Sequence, residues 1–341
     1  MSTRRAVVVK APNVAEVNNV PLPKLRDDYI IIKTKAVALN PTDWKFLGKG
    51  PVGAISGCDY SGVVEEVGKA VTVPFKVGDK VAGFVRGADD SNHENGAFAT
   101  TIIAKGGIQA KIPENVSFED AATLGVGITT VGQGLYQSLG LPLLPATVQE
   151  PTSILIYGAS TATGTIAVQF AKLSGLEVIT TSSPHNFDLL KKLGADQVFD
   201  YKEPDVGAKI RKATNDNLTF VFDTISELGS PEISAAALSS KGGSYSSILP
   251  VEKFPRDDVS TGFTLAYTAI GEHFSESFPA SQTDYEFAVK FWKVAGDLLN
   301  SGKLKTHPAE VRPGGLEGIA QGLKDLKDGK VSGVKLVYKV E

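Results

Sequence analysis

Five uncharged residues, Ser153-Ile154-Leu155-Ile156-Tyr157, run into Gly158-Ala159-Ser160-Thr161-Ala162-Thr163-Gly164 and then into a helical stretch ending near Ser174. In a strand, turn and helix of this kind, the unpaired amides of the first helical turn and the helix dipole converge on one point. An anion such as a pyrophosphate is stabilised there. The G-x-G-x-x-G spacing of dinucleotide sites is kept only in part: its positions fall at Ala159, Thr161 and Gly164, so the last glycine alone remains. Hydroxyls on Ser160, Thr161 and Thr163 stand where glycines would only permit approach, and they suit hydrogen bonds to phosphate. The same residue types also cap an ordinary strand-to-helix turn.

The next strand, residues 177–181, bears on which nucleotide fits. Sites for NAD place an acid ~20 residues past the turn, where it holds the ribose 2'-hydroxyl. Here the strand ends in Ser182-Ser183-Pro184-His185-Asn186, with no carboxylate at its tip. A neutral tip rich in donors suits a 2'-phosphate, which favours NADPH over NADH. Ser183 and Asn186 are also helix-capping types, and the two roles coexist because a capped helix N-terminus is itself an anion site.

Metal and thiol chemistry have little to work with. Cys58 is the only cysteine among 341 residues, so no intramolecular disulfide forms, and zinc sites of four cysteines, or of two cysteines and two histidines, are excluded. Cys58 is read as a small core residue, and His93, beside Glu94, as a solvated loop residue. Lys and Arg number 35 against 38 Asp and Glu, interleaved along the chain, which excludes the electrostatic footprint of a nucleic-acid or anionic-membrane binder. No run of about 18 apolar residues occurs, and residues 6–9 are too few for the apolar core of a signal peptide. A reducing, cytoplasmic location is the expectation.

Two kinds of element must position these residues. Residues 6–9, 29–38, 62–67, 80–85 and 98–103 are rich in β-branched types and separated by Gly and Pro, which predicts an all-β module. From residue 118 the texture changes. A helical stretch over 118–139 precedes alternating strands (153–157, 177–181, 197–199, 219–223, 242–247) and helices (165–173, 186–193, 206–214, 232–238). That rhythm predicts a doubly wound parallel sheet, so the fold class is α/β with a separate β-rich domain. Helices at 284–299 and 316–328 and a last strand at 334–340 suit a return to the first module. The expected domains are 1–118 with the return 276–341, and 119–275.

Three motifs of the first module, Asn40-Pro41-Thr42-Asp43-Trp44-Lys45, Gly57-Cys58-Asp59-Tyr60-Ser61-Gly62-Val63-Val64 and Phe75-Lys76-Val77-Gly78-Asp79-Lys80-Val81, resemble the GroES-like domain of medium-chain dehydrogenases/reductases. They occur in the family's order ahead of a nucleotide-binding sheet, so the resemblance spans essentially the whole chain. Zinc-dependent members carry Gly-His-Glu where this chain has Gly57-Cys58-Asp59, which places it in the zinc-independent branch. Ser160-Thr161-Ala162-Thr163, residues 183–189 and Phe199-Asp200-Tyr201 are especially similar to fungal trans-acting enoyl reductases, partners of polyketide synthases of the lovastatin type.

The resemblance implies a Rossmann domain holding NADPH and a reduction of α,β-unsaturated thioesters carried by a synthase acyl carrier domain. It assigns Thr42, Asp43, Trp44 and Lys45 to the nicotinamide end of the cofactor cleft, and Ser160, Thr161, Ala162 and Thr163 to the pyrophosphate. Ser183, Pro184, His185, Asn186 and Tyr201 would surround the 2'-phosphate. Ile248, Leu249, Ser332 and Gly333 would offer backbone contacts at the nicotinamide. Thr129, Thr130, Gly132 and Tyr136 would line the substrate on one side, and Tyr267, Thr268, Ala269, Ile270 and Gly271 on the other. Tyr267 and Ile270 equally suit the core of a helix. Lys45 is the candidate for stabilising enolate charge or relaying a proton, and Thr129 for donating a hydrogen bond to the thioester carbonyl; water also suits as the proton source. A monomer is expected, with an edge strand near residues 264–269. Two other readings stay open: a quinone or alkenal reductase of the same superfamily, and an NADPH-binding protein with little catalysis.

Overall fold

A computed structural model describes residues 2–340, which form two compact units: residues up to Val126 with those from Tyr267 onward, and Gly127–Ala266. In the first unit the strand Tyr29–Ala38 is the hub. Its isoleucines and valine are buried, and its β-branched side chains fit a pleated surface covered on both faces. On one side it pairs antiparallel with Asp59–Val67 along its whole length. On the other, its first half pairs with Thr101–Lys105 and its last residues with Lys335–Lys339, so the end of the chain does return to the first module. Four strands escaped the sequence reading: Val14–Pro21, Gln109–Lys111, Val259–Phe263 and Ala309–Arg312. Most are short or alternate weakly, leaving little periodic signal.

The helix Gly315–Lys327 covers this core with Leu316, Ile319 and Leu323. Gly318 and Gly322 lie one turn apart against the Tyr338 ring, where a Cβ on either would overlap it. Two glycines, unfavourable inside a helix by about 1 kcal/mol each, are accepted because they let the helix close on the sheet.

Six parallel strands form the second unit, ordered Gln197–Asp200, Glu177–Ser182, Ser153–Tyr157, Leu218–Asp223, Gly243–Ser247, Val259–Phe263. Counted from Ser153, that is the order 3-2-1-4-5-6 of the Rossmann arrangement, whose switch point lies between Ser153–Tyr157 and Leu218–Asp223. Two expectations need correction. The edge strand is Val259–Phe263 rather than residues 264–269, and Ala266–Ile270 is a 3-10 turn. The stretch 118–139 is not one helix but three pieces, Phe118–Ala121, Gly125–Val131 and the wide π-helical Gly132–Ser138. The first break has a cause: the Val126 amide, needed for a continuous ladder, instead donates to Asp59 Oδ1 at 2.7 Å.

Residues 119–126 and 267–275, expected with the nucleotide-binding half, divide differently for local reasons. Phe118 and Ala122 pack on Ala36, Ala38 and Val337. Tyr267 stacks on Phe274 and bonds Thr42, which ties the later segment to the first unit.

His307 is 1% exposed, and burial, with the Lys335 ammonium nearby, pushes its imidazole down to about 3. The folded value lies below the unfolded one, so the unfolded chain takes up the proton first and stability is lost as pH falls below about 6.5. Between pH 7.5 and 5.5 this group should cost about 1 kcal/mol. Urea unfolding at both pH values should show His307→Gln less acid-sensitive than wild type; equal pH dependence would refute the assignment.

Candidate active site

In the second unit the turn after Ser153–Tyr157 is built to leave amides free. Gly158 takes φ +71, a conformation L side chains rarely adopt. Thr161 caps the helix Ala162–Leu173, its Oγ1 accepting from the Gly164 amide at 2.9 Å. A Cβ at Gly164 would stand 2.6 Å from the Gly158 carbonyl oxygen and from Ala159 Cα, which is why this glycine of the spacing is the one retained. The amides of Ala162 and Thr163 belong to the first turn, without intrahelical partners, and beside them Ser160 keeps its hydroxyl half-buried. This cradle fits a pyrophosphate. One detail differs from the sequence reading: the Thr161 hydroxyl serves the cap and a 3.0 Å bond to Thr224 Oγ1, rather than standing ready for phosphate.

Thr224 was not anticipated. Its hydroxyl also reaches the Tyr157 and Gly158 carbonyls at 2.8 and 3.0 Å, bracing the switch point. Next to it, the fully buried Asp223 accepts from the Ile225 and Ser226 amides, Ser230 Oγ and Tyr245 Oη. Ser226 in turn receives the Ile248 amide at 3.0 Å, so Ile248 is positioned but its N-H is engaged. A strand ending in Asp-Thr at a switch point was the available signal.

The strand Glu177–Ser182 ends with buried Thr181 and Ser182, half-buried Ser183 and exposed Pro184 and His185. Asn186 Nδ2 lies 3.2 Å from His185 Nε2. Register brings one acid alongside: Asp200 pairs with Ser182, but its Oδ1 turns to the Lys202 amide at 2.9 Å. Tyr201 follows it at the surface. Thr129 and Thr130 are buried on Gly125–Val131. Gly132 is buried at the start of the π-helical segment. Tyr136 bonds Ser174 Oγ at 2.8 Å and packs edge-on to Phe170, which places it in the interior of this unit.

In the first unit, the short helix Pro41–Leu47 follows Asn40, whose amide donates to Asp43 Oδ2 at 2.7 Å. Asp43 is 3% exposed, and burial, with the Asp59 carboxylate adding, pushes its carboxyl up to about 7 against the pull of that amide and of Lys335. Lys45 is half-buried with its Nζ 5.6 Å from the Trp44 ring centre, and it makes no ion pair among the described residues. Lys327 approaches the same ring at 5.5 Å, so two cations meet the indole. Thr42 Oγ1 lies 2.7 Å from Tyr267 Oη, and that phenol lies 3.4 Å from Cys58 Sγ. Tyr267 is boxed by Phe46, Phe84 and Phe274. Thr268, Ala269 and Ile270 are buried beside it, and Gly271 takes φ +79. Ser332 is exposed and Gly333 takes φ +68, just before Lys335.

Cys58 is therefore buried, as read, and it lines a recess with Thr42, Asp43 and Tyr267. Asp59, in the following position, is committed to the Lys335 ammonium and the Val126 amide. No group of three or more His, Cys, Asp or Glu among the described residues is placed to hold a metal ion. No described helix is long and apolar enough to cross a membrane.

Comparison with known proteins agrees with both units. The family described as "Alcohol dehydrogenase GroES-like domain" matches residues 26–114, and that described as "Zinc-binding dehydrogenase" matches 162–248. A trans-enoyl reductase of Alternaria alternata is 61% identical over 344 residues, covering 100% of both chains. The enoyl reductase component of the lovastatin nonaketide synthase of Aspergillus terreus is 39% identical, covering 95% of this chain and 92% of that one. Among solved structures, the CurK enoyl reductase superposes with a TM-score of 0.80 at 21% identity, covering 99% of each chain, a likeness of fold. A Rossmann unit, a β-rich unit carrying the lysine helix, and relatives of this identity and coverage lead to one conclusion: the chain belongs to the trans-enoyl reductases of the medium-chain dehydrogenase/reductase superfamily, oxidoreductases that use a nicotinamide cofactor.

Proposed function

We propose that this enoyl reductase uses NADPH to reduce α,β-unsaturated polyketide thioesters carried by the acyl carrier domain of a partner synthase. The observation that carries the reading is Lys45, a half-buried ammonium with no carboxylate partner among the described residues, on the same short helix as Thr42. An uncompensated cation there has its charge available for a developing enolate oxygen. The Ser160 to Thr163 cradle would hold the pyrophosphate of the reduced cofactor, which would supply the hydride for the substrate β-carbon. Lys45 then stabilises the enolate charge, and Thr129 donates a hydrogen bond to the thioester carbonyl. The donor set argues against zinc in this role: Cys58 stands alone, and Asp59 is already paired with Lys335.

The deciding assay compares NADPH oxidation with crotonyl-pantetheine and crotonyl-loaded carrier domain against a free enone and a quinone. Faster turnover of the thioesters is expected. Preference for the free electrophiles would replace this reading with a quinone or alkenal reductase, and no oxidation with either would leave a nucleotide-binding protein.

NADPH should bind at least about tenfold tighter than NADH, since hydrogen bonds to a charged 2'-phosphate are worth ~1.5–3 kcal/mol and the tip of Ser182, Ser183, His185 and Asn186 carries no acid. Fluorescence titration with both nucleotides measures this. Comparable dissociation constants would overturn the assignment of that tip. The protein is proposed to be a monomer, because the edge strand Val259–Phe263 is short and carries Gly262; light scattering reads its mass.

A further inference from the structure

We propose that the proton delivered to the substrate α-carbon arrives through a side-chain relay in which Asp43 protonates Cys58, Cys58 protonates Tyr267, and Tyr267 protonates Thr42. The inference rests on the enoyl reduction proposed above and names the acid that the reaction requires.

Four observations meet in one recess. Thr42, Asp43, Ser56, Cys58 and Tyr267 all line it. Tyr267 Oη is shared between Thr42 Oγ1 at 2.7 Å and Cys58 Sγ at 3.4 Å, a continuous path of exchangeable protons. Among the described residues, Asp43 Oδ1 is buried with no partner in hydrogen-bond geometry, and the same holds of Ser56 Oγ in the same recess. The Cys58 thiol is the side-chain donor that faces the Asp43 carboxyl, and it favours the carboxyl's charged form. Finally, the recess is too narrow for a water molecule, so protons crossing it must use the side chains.

Exposure sets the direction. Asp43, Cys58 and Tyr267 are buried, whereas Thr42 is half-buried and so forms the open end. A buried carboxyl with one oxygen unpartnered is costly when ionised and carries a proton to give when neutral. The groups facing it are Cys58 and Tyr267 across the recess, Asp59 and Lys335 from the sheet, and the Asn40 amide. Lys335 favours ionisation and Asp59 opposes it, and the two neutralise each other in their own pair.

The step balances as follows. The reduced nicotinamide, when bound, would supply the hydride that forms the C-H bond at the β-carbon, and the alkene electrons would move to the carbonyl oxygen as an enolate. The Thr42 O-H bond breaks as the α-carbon takes its proton. Thr42 recovers a proton from the Tyr267 phenol, the phenol from the Cys58 thiol, and the thiol from the Asp43 carboxyl, which ends as a carboxylate; once product has left, a proton from solvent enters at the Thr42 end and passes back along the same groups to Asp43. Thr42 is then the catalytic residue, and the other three act through it.

The test uses the full-length chain with NADPH and crotonyl-pantetheine. Tyr267→Phe and Cys58→Ala should each lower saturating turnover by about 10 to 100 fold, at the low end for a general acid because Thr42 keeps its own hydroxyl. Cys58→Ser should restore most of it, since a hydroxyl also passes protons. Wild-type turnover should fall as pH rises through about 7, where the Asp43 proton is lost; Asp43→Asn, which keeps the acceptor for the Asn40 amide, should turn over slowly with that limb gone. In Tyr267→Phe the solvent deuterium isotope effect should rise while NADPH affinity holds. Independently of activity, infrared spectra should show a carboxylic-acid carbonyl band that titrates near pH 7 and is absent from Asp43→Asn. Wild-type turnover and an unchanged pH limb in both Tyr267→Phe and Cys58→Ala would overturn the relay while leaving the enoyl reduction intact, and so would an Asp43 already ionised at pH 5.5. A wild-type protein inert toward thioesters would overturn the reaction itself, whatever the infrared band shows.

Discussion

Alanine at Lys45 is expected to lower saturating turnover of an enoyl thioester by about 10 to 1000 fold, the range seen when one preorganised electrostatic donor is removed. The ammonium makes no ion pair among the described residues, and its only ring contact is Trp44 at 5.6 Å, so the substitution removes a charge without stranding a partner. Folding stability should therefore change little, and NADPH affinity should fall less than turnover. The opposite pattern, weakened NADPH binding with near-normal saturating turnover, would mean that Lys45 holds a ribose hydroxyl, because uniform binding leaves the chemical barrier unchanged. Thr129→Val is the parallel test in the other unit, removing a hydroxyl at nearly constant volume. The double variant belongs in the series, since groups acting on one reacting system are rarely additive.

Lys335→Met should cost about 3–5 kcal/mol of stability, the range for removing one partner of a buried ion pair. Asp59 and Lys335 are 0% and 3% exposed, so the carboxylate left behind has no access to water. The ammonium also donates to the Thr123 carbonyl at 3.3 Å, and Asp59 holds the Val126 amide, so the pair ties the last strand and the segment 123–126 to the sheet. Against a total of about 5–15 kcal/mol this is a large fraction. Urea unfolding measures it, with Lys335→Arg as the control that keeps the charge. A loss below about 1 kcal/mol would show that the pair is solvated in practice.

Much of the architecture was legible because its signals are local. Alternating strand and helix periods over residues 153–247 marked the parallel sheet, and the strands of that stretch lie within a residue or two of the expected positions. The turn at Gly158 to Gly164 announced an anion cradle through small residues and a single retained glycine, whose necessity is the 2.6 Å approach to Gly158 and Ala159. The stretch 118–139 misled for the converse reason. Its apolar residues suit one helix, but the competitor for the Val126 amide is a carboxylate 67 residues away, which no local pattern records.

Residue types alone determined the chemistry at hand: one thiol without a second cysteine, a neutral donor-rich strand tip, and a lysine at the end of the motif Asn40 to Lys45. Tertiary structure alone decided which groups meet. Tyr267 comes to Thr42 across 225 residues and to Cys58 across 209, because the chain leaves the parallel sheet after Val259–Phe263 and closes back on the β-rich unit. Burial then converts those residues: Asp43 is an ordinary helix-capping acid in sequence, and only the dry recess makes it a carboxyl that keeps its proton near neutrality. Solvation and proximity depend on distant parts of the chain packing together, and sequence spacing carries neither.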